Sequence, residues 1–382
     1  MLFITFVLKN LLRRKARSLL TLVGVGVAVA AVVALVGIAQ SFRRSFAELY
    51  TKRGVDLVIV RAGTRERIGS SLPEQVGDRI RQVPGVAAVS PGLMDVISFE
   101  QRQLIGVPIQ GWAPDSFLFN DRRFISGRRL QAGDRRGVML GKVLAANLDK
   151  TAGETVEIFG EDFRVVGVFE SFSVYENGSA VVLLHDLQEL MNREGQVTGF
   201  QVILEDRPNK AALIEEVKAK INDLRDERGR PLGLDALPVE DYVSTTSQIQ
   251  MAQAMAWVTS VIALVIGAIG VLNTMIMSVF ERTREIGILR AIGWRRGRVM
   301  RMILYESVLL SVAGAAVGIA AAVVLTRVLC ASADGSRFIE GSVDPGVMVR
   351  GLVIALFVGL AGGIYPALRG ALLLPTEAIR HE

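Results

Sequence analysis

LLTLVGVGVAVAAVVALVGIA, residues 19–39, carries no charge, and the uncharged stretch around it runs from Ser18 to Phe42. A helix needs about 20 mostly apolar residues to cross the hydrocarbon of a bilayer. The stretch does not alternate with period two, so it reads as a spanning helix and not as a barrel strand. It is longer than a signal-peptide core, and no small-x-small cleavage site ends it. Three further runs share its character. Ala254 to Phe280 is uncharged, Met302 to Thr326 is broken only by Glu306 near its start, and Gly346 to Leu368 has only Arg350 near its start. Spans are therefore expected over 18–42, 254–280, 302–328 and 346–368.

Composition agrees with a chain partly in lipid and partly in water. The 382 residues are 51% hydrophobic and 21% charged, and the mean hydropathy is +0.39. That is too apolar for an ordinary soluble domain and too charged for a chain wholly within a membrane. One cysteine, Cys330, excludes a disulfide framework and a cysteine-built zinc cluster. The net charge of +6 comes from basic residues crowded at the flanks of the spans, so no nucleic-acid partner is expected.

Orientation follows from the short loops. Residues 281–301 hold Arg282, Arg284, Arg290, Arg295, Arg296, Arg298 and Arg301, whereas 329–345 holds only Arg337. The positive-inside rule places 281–301 in the cytoplasm, and parity brings both termini, 1–17 and 369–382, to the same side. Arg43, Arg44, Lys52 and Arg53 flank the first span on its outer side, but long domains translocate largely regardless of charge.

The segment 43–245 is thereby extracytoplasmic, and it is long enough for a core of its own. Val55–Val60, Val86–Val89, Leu104–Gln110, Gly199–Leu204 and Leu234–Val239 read as strands. Pro73–Gln82 and Asn209–Arg225 read as helices, the latter with Leu213, Ile214, Val217, Ile221 and Leu224 on one face. The order β-α-β-β then β-α-β predicts a split βαβ sheet with an insertion at about 115–197. The insertion looks mainly β. Glu154–Phe159 and Phe163–Phe169 flank a turn at Gly160-Glu161-Asp162, Ala180–Leu184 follows as a strand, and His185–Arg193 as a helix. Asp241 to Gln253 reads as a polar stalk running into the second span. The expected fold class is an α-helical membrane protein of four spans with an α+β extracytoplasmic domain.

Catalytic chemistry is missing from the sequence. Gly137 to Val143, GVMLGKV, lacks both the spacing and the hydroxyl of a phosphate-binding loop and reads as a strand entering a turn. Neither His185 nor His381 has a cysteine or a second histidine at ligand spacing. Asn177-Gly178-Ser179 reads as a turn. No charge stands mid-span, whereas proton relays and ion paths need one. Asn273 and Thr274, the most polar mid-depth pair, suit hydrogen bonds between helices, and Gly314-x-x-x-Gly318 and Gly359-x-x-x-Gly363 suit close helix approach.

The segment Glu281 to Gly293, ERTREIGILRAIG, is amphipathic. On a helix Ile286, Leu289 and Gly293 share one face, and Ile288 and Ala291 an adjoining one, with Gly287 and Arg290 between them. Glu281 with Arg284, and Arg282 with Glu285, stand at i,i+3 spacing with opposite sign. Two readings fit: a helix lying on the membrane surface, or one offering its apolar stripe to a groove in a cytoplasmic partner.

ERTREIGILRAIGWRRGRVMRMILYESVLLSVAGAAVGI, from Glu281, strongly resembles the signature of the FtsX/MacB-type ABC transporter permeases. The ending GGIYPALRGALLLPTEAIR and the external stretch from Phe124 to Glu170 resemble the same family. The likeness covers nearly the whole chain. It implies a non-catalytic permease subunit of a bacterial inner membrane, paired with a second permease chain as a homo- or heterodimer. ATP and Mg would be bound by a separate cytoplasmic ATPase, which would dock on 281–293 and drive motion outward, and this chain itself would hold no cofactor. The task implied is efflux or export, with a periplasmic adaptor and an outer-membrane channel. The family's other tasks are extraction of lipoproteins or lipids and mechanical regulation of a cell-wall hydrolase.

Overall fold

The computed structural model describes residues 15–63, 70–120, 122–331 and 344–374. Arg337, on which part of the orientation argument rests, and the terminal segments 1–14 and 375–382 lie outside them.

The first helix, α1 (Lys15–Thr51), continues nearly three turns beyond the span expected to end at Phe42. The water-soluble part then follows. Its strands are β1 (Leu57–Arg61), β2 (Leu72–Pro73), β3 (Val86–Phe99), β4 (Leu104–Trp112), β5 (Arg123–Gly127) and β6 (Gly137–Gly141). The second half adds β7 (Thr155–Ile158), β8 (Glu161–Glu170), β9 (Ala180–Leu183), β10 (Gln196–Val197), β11 (Gly199–Leu204) and β12 (Leu234–Pro238). Between them lie α2 (Val76–Arg81), α3 (Lys142–Leu148), α4 (Val174–Asn177), α5 (Leu184–Leu190), α6 (Lys210–Asn222) and α7 (Val239–Ser244). The chain finishes with α8 (Ser247–Glu281), α9 (Thr283–Ala291), α10 (Arg296–Ala331) and α11 (Pro345–Leu372). Four of these helices, α1, α8, α10 and α11, are long and apolar enough to cross a membrane. The chain is a multi-pass membrane protein, and its described residues form two compact units: Phe42–Met251, and the helical remainder.

In the helical unit, Val25, Val29 and Val33 of α1 pack with Val271 and Met275 of α8, Ile303 and Leu310 of α10, and Ala355 and Val358 of α11. Small residues set the spacing. A Cβ at Gly314 would stand 2.9 Å from that of Val25, and one at Gly318 would overlap the Gly26 carbonyl, so α1 and α10 touch backbone to backbone. At the α10–α11 crossing the Ser307 hydroxyl donates to the Gly359 carbonyl at 2.7 Å. A Cβ at Gly363 would overlap that same hydroxyl.

In the α+β unit one ten-stranded sheet runs β12-β1-β11-β3-β4-β9-β6-β8-β5, with β7 beside β8. The inserted strands do not form a sheet of their own: β9 joins the outer strands by pairing parallel to β4, Ile109 opposite Ala180. One sheet face buries Ile59, Leu93, Ile109 and Phe200 beneath Ile80 of α2, Leu187 of α5 and Val217 of α6.

Local details differ from the sequence reading where backbone pairing overrides composition. Pro73 does not open a helix but ends β2, paired with Gln196, and α2 begins at Val76. The hairpin turn is Phe159-Gly160 and not Gly160 to Asp162, because Ile158 pairs with Glu161. Both turn residues have positive φ, 53° and 80°, the conformation that matches strand twist in two-residue hairpins. Asn177 belongs to α4, where its amide bonds both the N–H and the carbonyl of Ser171. The expected stalk is two helices broken at Thr245 and Thr246, whose hydroxyls donate to the carbonyls of Asp241 and Tyr242.

Candidate functional site

The short helix α9 is defined by how it starts and stops. At its start Arg282 leaves helical geometry, with φ −110° and ψ 15°, and the Thr283 hydroxyl donates back to the Phe280 carbonyl at 2.8 Å. At its end Gly293 takes φ +103°. The Trp294 N–H then reaches the Leu289 carbonyl and the Gly293 N–H that of Arg290, both accepted at 3.0–3.1 Å. This pair of bonds closes a helix through a left-handed residue, which favours glycine.

The face that meets the rest of the helical unit is the one expected to be free. Ile286 is 2% exposed and packs in the same core as Val299 and Met302, and Gly287 is buried beside it. Leu289 and Arg290 are half-buried. The exposed apolar side chains are Ile288 and Ile292, at 44% and 75%, one turn apart. Ala291, Arg284, Glu285 and Gly293 are exposed with them, as is Glu281 at the end of α8. The stripe Ile286–Leu289–Gly293 is therefore corrected: Ile286 is consumed by the internal core, and the outward stripe runs through Ile288 and Ile292. Amphipathic spacing identified both faces but not which one the neighbouring helices would cover.

Arg282 carries a second role that its sequence position did not reveal. Its Nη1 donates to Glu306 Oε2 at 3.0 Å and its Nε to Glu285 Oε2 at 3.3 Å. Arg282 is 7% and Glu306 5% exposed. A desolvated charge pair of fixed geometry resists separation, because parting it leaves a buried charge without a partner. The pair pins the α8–α9 corner to the third turn of α10. The signal was present in the sequence: Glu306 is the only acidic residue between Met302 and Thr326, and an ionisable group in an apolar span requires a partner.

The expected helix-packing residues separate into two kinds. Gly314, Gly318, Gly359 and Gly363 stand at helix crossings. Asn273 and Thr274 do not link helices within this chain. Asn273 is exposed, and the Thr274 hydroxyl donates to the Gly270 carbonyl of its own helix at 2.8 Å. A threonine can satisfy itself four residues back, so polarity alone does not imply a bond across helices.

The α+β unit has a buried ionic centre of its own. Glu176, 1% exposed, accepts from Arg53 through both oxygens at 2.7 Å and from Arg122 at 2.7 Å. The Ser171 hydroxyl donates to it at 2.6 Å. The Arg122 guanidinium lies 4.2 Å from the Trp112 ring centre and 4.4 Å from that of Phe169. Burial works against the Glu176 carboxylate, but Arg122 and Arg53 outweigh it and hold the group at about 2. Burial brings Arg122 down to about 10. Both carboxylate oxygens are engaged, and the centre acts as a lock between the end of α1, α4 and β4. Lys142 is paired with Glu170 in place of any phosphate. Among the described residues one group has metal-ligand spacing, His185, Asp186 and Glu189. Asp186 already accepts the Arg136 N–H at 2.8 Å and Glu189 faces Arg135 at 3.5 Å, so the group reads as surface ion pairing.

Residues 18–224 match the MacB-like periplasmic core domain, and residues 257–371 match the FtsX-like permease C-terminal domain. The chain belongs to the MacB/FtsX-type permease family. The permease MJ1507 of Methanocaldococcus jannaschii is 26% identical over 99% of this chain and 98% of its own length. The permease YknZ of Bacillus subtilis is 25% identical over 99% and 98%. The macrolide export ATP-binding/permease protein MacB of Bdellovibrio bacteriovorus is 28% identical over 98% of this chain, which spans 61% of that longer protein.

Proposed function

We propose that this chain is the non-catalytic permease subunit of an ABC transporter, in which a separate ATPase docks on α9 and its motion reaches the α+β domain through the spanning helices. The observation that carries this reading is the two-sidedness of α9. Its inner face is fastened by Ile286 and by the Arg282–Glu306 pair, while Ile288 and Ile292 stand outward beside Arg284 and Glu285. A helix held rigidly on one side and apolar on the other transmits force from a partner that grips it. The arginines of 281–301 support a cytoplasmic position for α9 and an extracytoplasmic one for the α+β domain. ATP and Mg belong to the ATPase subunit in this reading, and two permease chains complete the transporter. Export or efflux is the task the reading favours, in line with the Bdellovibrio relative, a macrolide export protein.

The test is co-purification with the ATPase at equal permease levels. Truncating Ile288 to Ala removes about 1–2 kcal/mol of apolar burial at such an interface, and Ile288→Glu costs more by burying a charge. Ile288→Glu is expected to abolish ATPase recovery and stimulation while membrane insertion persists. Full recovery with normal stimulation would show that α9 lies on lipid instead. Orientation is read independently from single cysteines at Asp162 and Arg296: an impermeant reagent is expected to label the first and spare the second in cells with a permeabilised outer membrane.

A further inference from the structure

The α+β unit contains a cavity of about 450 Å³ that none of the ionic or packing centres above uses. Its floor is the sheet face opposite the main core. Val58 lies opposite Gln201, Gly199 opposite Gly92, Gly92 opposite Trp112 and Met94 opposite Gln110, so these residues share that face across four strands. Gly92 and Gly199 are directly paired, and the Gln201 side-chain amide lies over Gly92, its nitrogen 3.1 Å from where a Cβ would stand. The roof is aromatic: Phe46 and Tyr50 from the end of α1, Tyr242 from α7 and Tyr175 from α4. Val96 and Ile105 also line the cavity, and they are 47% and 86% exposed, which gives the cavity an apolar lip in contact with water.

Two features define what would fill it. Among the described residues no aspartate, glutamate, lysine or arginine lines it. Two lining amides have buried atoms without a hydrogen-bond partner, Nε2 of Gln110 and Oε1 of Gln201, and Gln110 is only 7% exposed. Buried polar atoms are nearly always paired, and each unpaired one is costly. A donor and an acceptor left open in a mainly apolar, uncharged cavity of ligand size, whose lining also includes Asn147, Thr198 and Thr246, match a guest that brings the complement of both.

We propose that this cavity binds a neutral, single-chain amphiphile whose head is a carboxamide, its carbonyl accepting from Gln110 Nε2 and its N–H donating to Gln201 Oε1, with the alkyl chain beneath the aromatic roof and leaving past the apolar lip of Val96 and Ile105. Charged heads are excluded by the uncharged lining, and esters, which lack a donor, leave Gln201 unpaired. The assignment is independent of the ATPase reading, since it involves only the α+β unit.

The experiment uses the full chain in phosphatidylcholine nanodiscs with Trp257→Phe and Trp294→Phe, which leaves Trp112, a cavity residue, as the single tryptophan. Dibromostearamide, its methyl ester analogue and dibromostearate are titrated, because bromine quenches tryptophan on contact. Saturable quenching by the amide is expected, about tenfold tighter than by the ester, as one additional buried hydrogen bond implies. The carboxylate is expected to bind more weakly still. Gln201→Leu should retain saturable binding and erase the amide-over-ester preference. Gly92→Leu should fill the floor and abolish quenching with an unchanged unfolding midpoint. A Cβ there meets only the Gln201 side-chain amide, at 3.1 Å. Non-saturable quenching, equal affinity for amide and carboxylate, or an amide preference that survives Gln201→Leu would each overturn the proposal.

Discussion

Each of the two units buries a carboxylate against guanidinium, yet the two arrangements do different work. In the helical unit one arginine meets one buried glutamate, Arg282 and Glu306, where one helix ends and another begins. In the α+β unit one glutamate serves two arginines, Glu176 with Arg53 and Arg122, with an aromatic ring beneath each guanidinium. The first is a joint between helices and the second a fastening inside one folded body. The charge count explains the difference in construction. The buried Arg282–Glu306 pair is neutral, and Arg282 reaches a second carboxylate, Glu285, at the surface. The two-to-one centre keeps an excess positive charge that the faces of Trp112 and Phe169 help to accommodate.

The comparison breaks most clearly at the carboxylates. Glu176→Gln leaves two buried guanidiniums without a counter-charge, and a loss of about 3–5 kcal/mol is expected, read as a fall in the thermal unfolding midpoint of the α+β unit. Arg282→Met alone removes the guanidinium facing the buried Glu306 and should cost roughly 3 kcal/mol, whereas Arg282→Met with Glu306→Met should recover most of that loss. Recovery of stability without recovery of ATPase stimulation in the double variant would show that the pair serves coupling more than folding. No recovery in either measurement would place its value in the charge itself.

Acid separates the two centres further. Glu176 is held at about 2 in the folded chain, against an ordinary value of 4.5. A depressed carboxyl contributes stability that is fully present above the ordinary value and is lost as pH falls through 4.5 towards 2. Urea midpoints of the α+β unit are expected to fall across this window in the wild type and to fall less in Glu176→Gln. The smallest effect is expected at Gly293→Ala, where a Cβ at φ +103° strains the α9 stop. A loss of about 1 kcal/mol should appear in unfolding, accompanied by weaker ATPase stimulation if the turn sets the angle of α9.

The four spans were legible because the hydropathy of a window and its length decide membrane crossing without reference to the rest of the chain. The strands β1, β4, β11 and β12 and the helix α6 were legible for a similar reason. Their periodicity is local, and Leu213, Val217 and Ile221 are buried as their spacing requires. The absence of a phosphate loop, too, is a statement about consecutive residues. Other features depend on which distant residues meet. Ile286 and Ile288 are equally apolar, and only the packing of α9 on Val299 and Met302 made one internal and the other external. Glu176, Arg53 and Arg122 are far apart in sequence, so no spacing rule joins them, and Gln110 and Gln201 come to one cavity only because β3 lies between their strands. Sequence by itself determined which segments leave water, since that is settled residue by residue against the solvent. Tertiary structure alone decided which faces and charges found partners, since burial and pairing belong to the neighbours a residue acquires on folding.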